Sequence, residues 1–293
     1  MANKLWVGTN SGNLGDYSVA ANWSPSGVPT ATDDVYFKDS SQDVLLGLDQ
    51  SAVALTSFNV DKSYTGLMGT SAAYLEIAAT TVNIGRHDGP GGPNGSGLIK
   101  LDLGTTTPAA VTVYDLGTPS NSINPALLLL ANNASTTIIV RKGKVGIALG
   151  VGETTTIASL KVNYVSSILN DAEIDIGSGV TLTTFAMIGG KVVALCGGTS
   201  FTVENGQLTT EGSGAITTLN APGGQVVCNS TGTITAINID GGEADFTKSQ
   251  AARTVTTAKI GPKGKIKYDP ANVTMTNKIQ PFNSSGVQII SAA

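Results

Sequence analysis

Five glycines in the C-terminal half of the chain mark out a repeat: Gly190, Gly206, Gly224, Gly242 and Gly264, at steps of 16, 18, 18 and 22 residues. Each opens a stretch with the same alternation: Lys191-Val192-Val193-Ala194, Gln207-Leu208-Thr209-Thr210, Gln225-Val226-Val227-Cys228, Glu243-Ala244-Asp245-Phe246 and Lys265-Ile266-Lys267-Tyr268. The residue after the glycine is always polar or charged, and the second and fourth positions are apolar except for Thr210. Side chains along a strand alternate between faces with period two. These stretches therefore read as strands with one dry face and one largely wet face.

A second strand follows a small-residue turn in each unit. The turns are Gly197-Gly198-Thr199-Ser200, Gly212-Ser213-Gly214, Ser230-Thr231-Gly232 and Ser249-Gln250-Ala251-Ala252. Behind them stand Phe201 and Val203, Ile216 and Leu219, Ile234 to Ile239, and Val255 and Ile260. One strand-turn-strand unit cannot bury its apolar face alone, whereas stacked units bury a continuous inner column. The pattern predicts an all-β solenoid, a single-stranded parallel β-helix. Apolar residues do not recur every sixth position, which excludes the left-handed hexapeptide form and favours a right-handed coil. A β-sandwich with coincidental glycines is the competing architecture.

Upstream the units lengthen. Leu75 to Ile77, Val82 to Ile84, Leu98 to Leu101, Val111 to Val113, Leu127 to Leu130 and Ile138 to Val140 read as strands, and Val145 to Ile147, Ile157 to Val162 and Ile174 to Ile176 continue the series. Only Tyr164 to Asn170 looks helix-like, and it is short. The expected organisation is an N-terminal cap over residues 1–50, a β-solenoid over 51–281 and a tail over 282–293. At roughly 18–28 residues per coil and ~4.8 Å between stacked strands, the solenoid would be a rod about 40–60 Å long.

Charged residues make up only 13% of the chain, and 17 Lys and Arg against 21 Asp and Glu leave a net charge of −4. That balance gives no electrostatic reason to bind nucleic acid or an anionic membrane. No apolar run is long enough to span a bilayer. Met1 to Trp6 lack the apolar core of a secretory signal, so folding in a cytosol is expected. Two cysteines, Cys196 and Cys228, share the inward parity and read as small buried apolar groups.

Residues 1–50 differ in texture, with both tryptophans, Trp6 and Trp23, joined by Tyr17, Tyr36 and Phe37. Trp6-x-Gly8, Asn22-Trp23-Ser24, Gly27-Val28-Pro29 and Asp33-Asp34-Val35-x-Phe37 resemble the opening of β-helical bacterial surface proteins and phage virion proteins. The resemblance covers about the first 40 residues. It implies the start of a parallel β-helix without catalytic activity. Bacterial surface members carry export signals and long passenger or barrel domains, which favours the phage branch for this chain. The implied protein is a structural virion protein assembled in the host cytoplasm. A capsid decoration or cement role fits best, with the major capsid protein or other virion proteins as partners and a homo-oligomer, plausibly a trimer, as its form. Trp6, Trp23, Tyr36 and Phe37 are the candidate cap or docking residues. A tail fibre or tailspike component binding host polysaccharide is the first alternative, and a β-helical polysaccharide lyase or hydrolase the second.

Candidate chemistry is sparse, and no catalytic, cofactor-binding or metal-binding residue is assigned. The only histidine, His87, lies in a glycine- and proline-rich run without a nucleophile motif and reads as a loop residue. Asp171, Glu173 and Asp175 share one face of a strand and could offer oxygens to calcium. A solvated face opposite Ile174 and Ile176 is the simpler reading. Glu243 with Asp245, and Lys265 with Lys267 one unit on, are expected to form cross-rung ion pairs.

Overall fold

A computed structural model of the chain describes residues 2–86, 98–105, 107–116, 125–162, 172–279 and 289–290. Strand accounts for 56% of the described residues and helix for 1%. The fold is all-β, and the helical element among the described residues is a single 3-10 turn, Ala20–Asn22. None of the described residues forms a helix long and apolar enough to cross a membrane. Tyr164 to Asn170 lie outside the described residues.

Strands β1 (Asn3–Trp6) and β2 (Trp23–Ser24) pair antiparallel. Every other pairing between strands among the described residues is parallel, beginning with β1 on β3 (Asp34–Phe37) and β3 on β4 (Asp49–Asp61). The strand β4 runs across residue 50, so the expected cap and the strands after it share one ladder. Ile289–Ile290, inside the expected tail, pair with Ile266 and Lys267.

Two columns of in-register pairs run along the chain. In one, Thr137 lies opposite Ser159, Ser159 opposite Thr184, Thr184 opposite Ser200 and Ser200 opposite Thr218. In the other, Lys144, Glu173, Lys191, Gln207, Gln225, Glu243 and Lys265 succeed one another. The last five are the residues that follow the aligned glycines, so the spacing seen in the sequence is the register of the pairs. A slip of one residue would turn every apolar side chain outward, and burial enforces the register. Val192, Leu208, Val226, Ala244 and Ile266 are each at most 1% exposed, and burying a side chain of Val or Leu size contributes about 1.5–3 kcal/mol. The strands of the Thr137 to Thr218 column add Phe201, Leu219, Ile237 and Ala258 to the same core, with the Phe185 and Phe201 rings 5.2 Å apart.

Gly224, Gly242 and Gly264 directly precede the strands Gln225–Cys228, Glu243–Asp245 and Lys265–Lys267, as expected of strand openers, whereas the first two aligned glycines do not. Gly190 and Gly206 lie inside the continuous strands Val180–Ala194 and Gly198–Thr210, where they bend the chain at φ +85° and +84°. A Cβ on Gly206 would stand 2.5 Å from the Gly190 carbonyl oxygen. A Cβ on Gly224 would stand 2.3 Å from Val203 Cγ1, one on Gly242 2.4 Å from the Gly224 carbonyl oxygen and one on Gly264 2.0 Å from the Ile239 carbonyl oxygen.

Candidate functional site

At the N-terminal end, β1 lies between β2 and β3, so its outer edge is paired and then followed by Pro25. A covered edge does not template further strands. Behind it the rings of Trp6, Tyr17, Trp23, Phe37, Phe58 and Tyr64 pack together, with Trp6 and Trp23 5.1 Å apart edge-on and Tyr17 and Trp23 4.7 Å apart. The Trp6 indole N–H donates to the Gln42 carbonyl at 3.0 Å and the Trp23 N–H to the Tyr17 carbonyl at 2.8 Å. Trp6, Trp23 and Phe37 are all at most 2% exposed. These candidate docking residues therefore face inward and offer no ring to a partner. Tyr36, on the opposite parity, is half-buried opposite Leu5 and Asn59.

The polar residues of the same motifs hold this end together. Buried Asn22 donates to the carbonyls of Asn13 and Asp16 and accepts from the Asn10 N–H at 2.9 Å. Asp33 accepts from the Thr30 N–H at 2.9 Å, the Ala2 N–H at 2.8 Å and the Thr30 hydroxyl at 3.0 Å. The Thr30 amide above all keeps its carboxyl below the ordinary carboxylate range.

The outward positions are largely occupied with one another. Glu243 takes Lys265 at 3.3 Å and also pairs with Lys267. Burial would raise the Glu243 carboxyl, but the hydrogen bonds from the two lysines hold it below its usual value. Asp245 is not in that pair; it accepts from the Thr247 N–H and hydroxyl. Lys144 lies 3.6 Å from Glu173 and 3.9 Å from Asp175, so the proposed solvated acidic face carries a lysine. Burial pushes the Asp175 carboxyl up, with Lys144 opposing. Asp115 bridges Lys62 at 3.2 Å and Lys142 at 3.6 Å. Uncharged amides do the same work elsewhere: Asn83 donates to Asn59 at 2.9 Å and Asn238 to Asn220 at 2.8 Å. Cys196 and Cys228 are buried free thiols, pushed by burial up to about 11 and about 12.

Two features were invisible in the sequence. Asp49, Glu76 and Asp102 stand in register on three adjoining strands, and none of them makes an ion pair among the described residues. Burial and then the Asp49 and Asp102 charges push the Glu76 carboxyl up. Close by, the loop between the strands Gly143–Ile147 and Thr155–Val162 holds Val151 fully in solvent, at 108% relative exposure. Glu153 braces that loop by accepting the Gly150 N–H at 2.7 Å, and the Tyr74 hydroxyl donates to its other oxygen at 2.8 Å. A cleft of about 400 Å³ lies beside the tip, bounded by Gly177 to Gly179 and Leu195. A second cleft, about 350 Å³, is floored by Gly190, Gly206, Gly223 and Gly224 and walled by Lys191, Asn205, Gln207 and Gln225.

His87 and Asp171 lie outside the described residues. Among the described residues no group of three His, Cys, Asp or Glu is arranged to hold a metal ion. Comparison with protein-family models, with curated proteins and with solved structures yields no match.

Proposed function

We propose that this chain is a structural protein of a bacteriophage particle, a capsid decoration or cement protein that stabilises the assembled shell through protein–protein contacts. The fold that goes with this reading is a single-stranded, right-handed parallel β-helix. The observation that carries it is the unbroken pair of in-register columns, with charges and amides of the outward face bonded from strand to strand. Side chains so used stiffen a rod and leave little chemistry for a substrate. Binding only the assembled shell would stabilise it by mass action. Side-by-side association into a homo-oligomer belongs to the same reading.

Mass spectrometry of purified particles, with copy number, is the test. A copy number comparable to the shell protein's supports decoration, and absence from particles overturns it. The tail-fibre reading has one observation in its favour, the glycine-floored cleft walled by Lys191, Gln207 and Gln225. A handful of copies per particle together with glycan binding that Gln207→Ala abolishes would select it.

A further inference from the structure

We propose that the edge of the stack carrying Asp49, Glu76, Asp102 and the Val151 tip is the docking face, and that its partner is a basic protein surface with an apolar socket. The inference rests on the particle reading above and names the surface that particle proteins would meet. An exposed valine between two glycines is ordinary on a floppy loop, where nothing follows from it. Here the loop is fixed. Glu153 accepts the Gly150 N–H and donates its own N–H to the Gly150 carbonyl at 3.1 Å. Tyr74 holds the Glu153 carboxylate from outside, and the Lys100 ammonium lies 4.4 Å from the centre of the Tyr74 ring. An apolar group held still in water, beside a cleft, has already met the ordering cost of insertion.

The acidic ladder is continuous with the tip, since Tyr74 stands two residues before Glu76. Along the same column Asp102 is opposite Leu130, and the Ala148 N–H at the base of the tip donates to Leu129. Three like charges stacked in register oppose folding, and burial first, then the Asp49 and Asp102 charges, disfavours the ionised Glu76 carboxylate. Lysines or arginines of a partner would remove that repulsion, which makes the charge of the partner basic and its on-rate sensitive to salt. A second copy packed alongside in parallel, as in a trimer about the long axis, would set acid beside acid, so the occupant is a different protein.

The experiment is incorporation in competition: wild-type chain and a mass-distinguishable variant are co-expressed during infection, and their ratio in purified particles is measured. Val151→Asp and Glu76→Lys/Asp102→Lys should each be depleted at least tenfold relative to wild type. Both should melt no lower than wild type, because Val151 touches nothing and the lysines relieve repulsion. Val193→Ala, elsewhere on the outward face, should incorporate equally. Equal incorporation of the folded docking variants would overturn this inference while leaving the particle reading intact. Absence of the wild-type chain from particles overturns both. Concentration-dependent dimerisation of the isolated chain, lost in Val151→Asp, would assign the face to a second copy and refute the proposed occupant.

Discussion

Leu208→Ala tests the central claim of the fold, that one parity of each strand is core. Leu208 is fully buried, opposite Val192 on one neighbouring strand and Val226 on the other. Leu-to-Ala changes in cores cost about 2–5 kcal/mol, more where the surroundings cannot collapse into the space. Parallel ladders hold the backbone on both flanks of Leu208, so about 3–5 kcal/mol is expected. Against a total stability of ~5–15 kcal/mol, the urea midpoint should fall by about a fifth or more. Thr209→Ala, one residue along and half-buried on the outer face, should cost no more than about 0.5 kcal/mol. Far-UV circular dichroism reports the strands as a whole, and fluorescence reports the N-terminal end through Trp6 and Trp23. If the stack unfolds as one unit, both probes move together; if Leu208→Ala shifts the dichroism alone, cooperativity breaks within the stack. Equal costs for Leu208 and Thr209, or a larger cost for Thr209, would refute the parity and with it the register.

Three further outcomes follow from particular contacts. Gly206→Ala combines a left-handed backbone with a Cβ 2.5 Å from a carbonyl oxygen, whereas Gly104 has φ +62° and no atom within 4 Å; thermal melting should show Gly206→Ala costing at least about 1–2 kcal/mol more than the ~1–2 kcal/mol of strain alone in Gly104→Ala. The Thr210 hydroxyl is buried between Ala194 and Cys228 with no hydrogen-bond partner among the described residues, so Thr210→Val should raise the denaturation midpoint by the equivalent of about 1–3 kcal/mol; a lower midpoint would mean the hydroxyl is satisfied. The pH dependence has two opposed contributions. The Glu243 carboxyl is held low, so its contribution is present above the ordinary carboxylate range and is lost as pH falls through its lowered value, while Glu76 is held high and opposes folding once ionised. Glu243→Gln should therefore destabilise at pH 7 and Glu76→Gln stabilise; as melts are repeated at falling pH the Glu76 difference should vanish first and the Glu243 difference only once pH has fallen through its lowered value.

The strands were legible wherever alternation and glycine coincided. From Gly190 onward the residue after each glycine stands in one column, and the parity assigned from the sequence is the parity of burial for Val192, Leu208, Val226, Ala244 and Ile266. The cross-strand pairing of Glu243 with Lys265 and Lys267 was readable too, because the glycine alignment sets Gly242 against Gly264 even across a step of 22 residues. The aromatic segment was readable as a cluster, cap or docking end, and its facing was not. Rings at Trp6, Trp23 and Phe37 look the same in a sequence whether they plug an interior or cover a partner. Their direction is set by Asn22 and Asp33, whose hydrogen bonds fold the intervening loops back over the rings.

The docking face was not legible, for a reason that lies in how such a stack stores its geometry. Asp49, Glu76 and Asp102 are separated by about 26 residues each, without a shared local motif. They become neighbours only once their strands are paired, at steps of 27 and 26 residues that no repeated glycine or alternation marks. A marked step, as between Gly206 and Gly224, turns sequence spacing into contact and can be read directly. An unmarked step hides contact while changing nothing in the ladder, since loop length costs little once the strands are paired. The features that a partner can meet accumulate where loops vary, because there the chain is free to project a Val151 or to align like charges without disturbing the core. The units at Gln207 and Gln225 carry the visible repeat, and those between Asp49 and Glu153 carry the surface proposed to meet a partner.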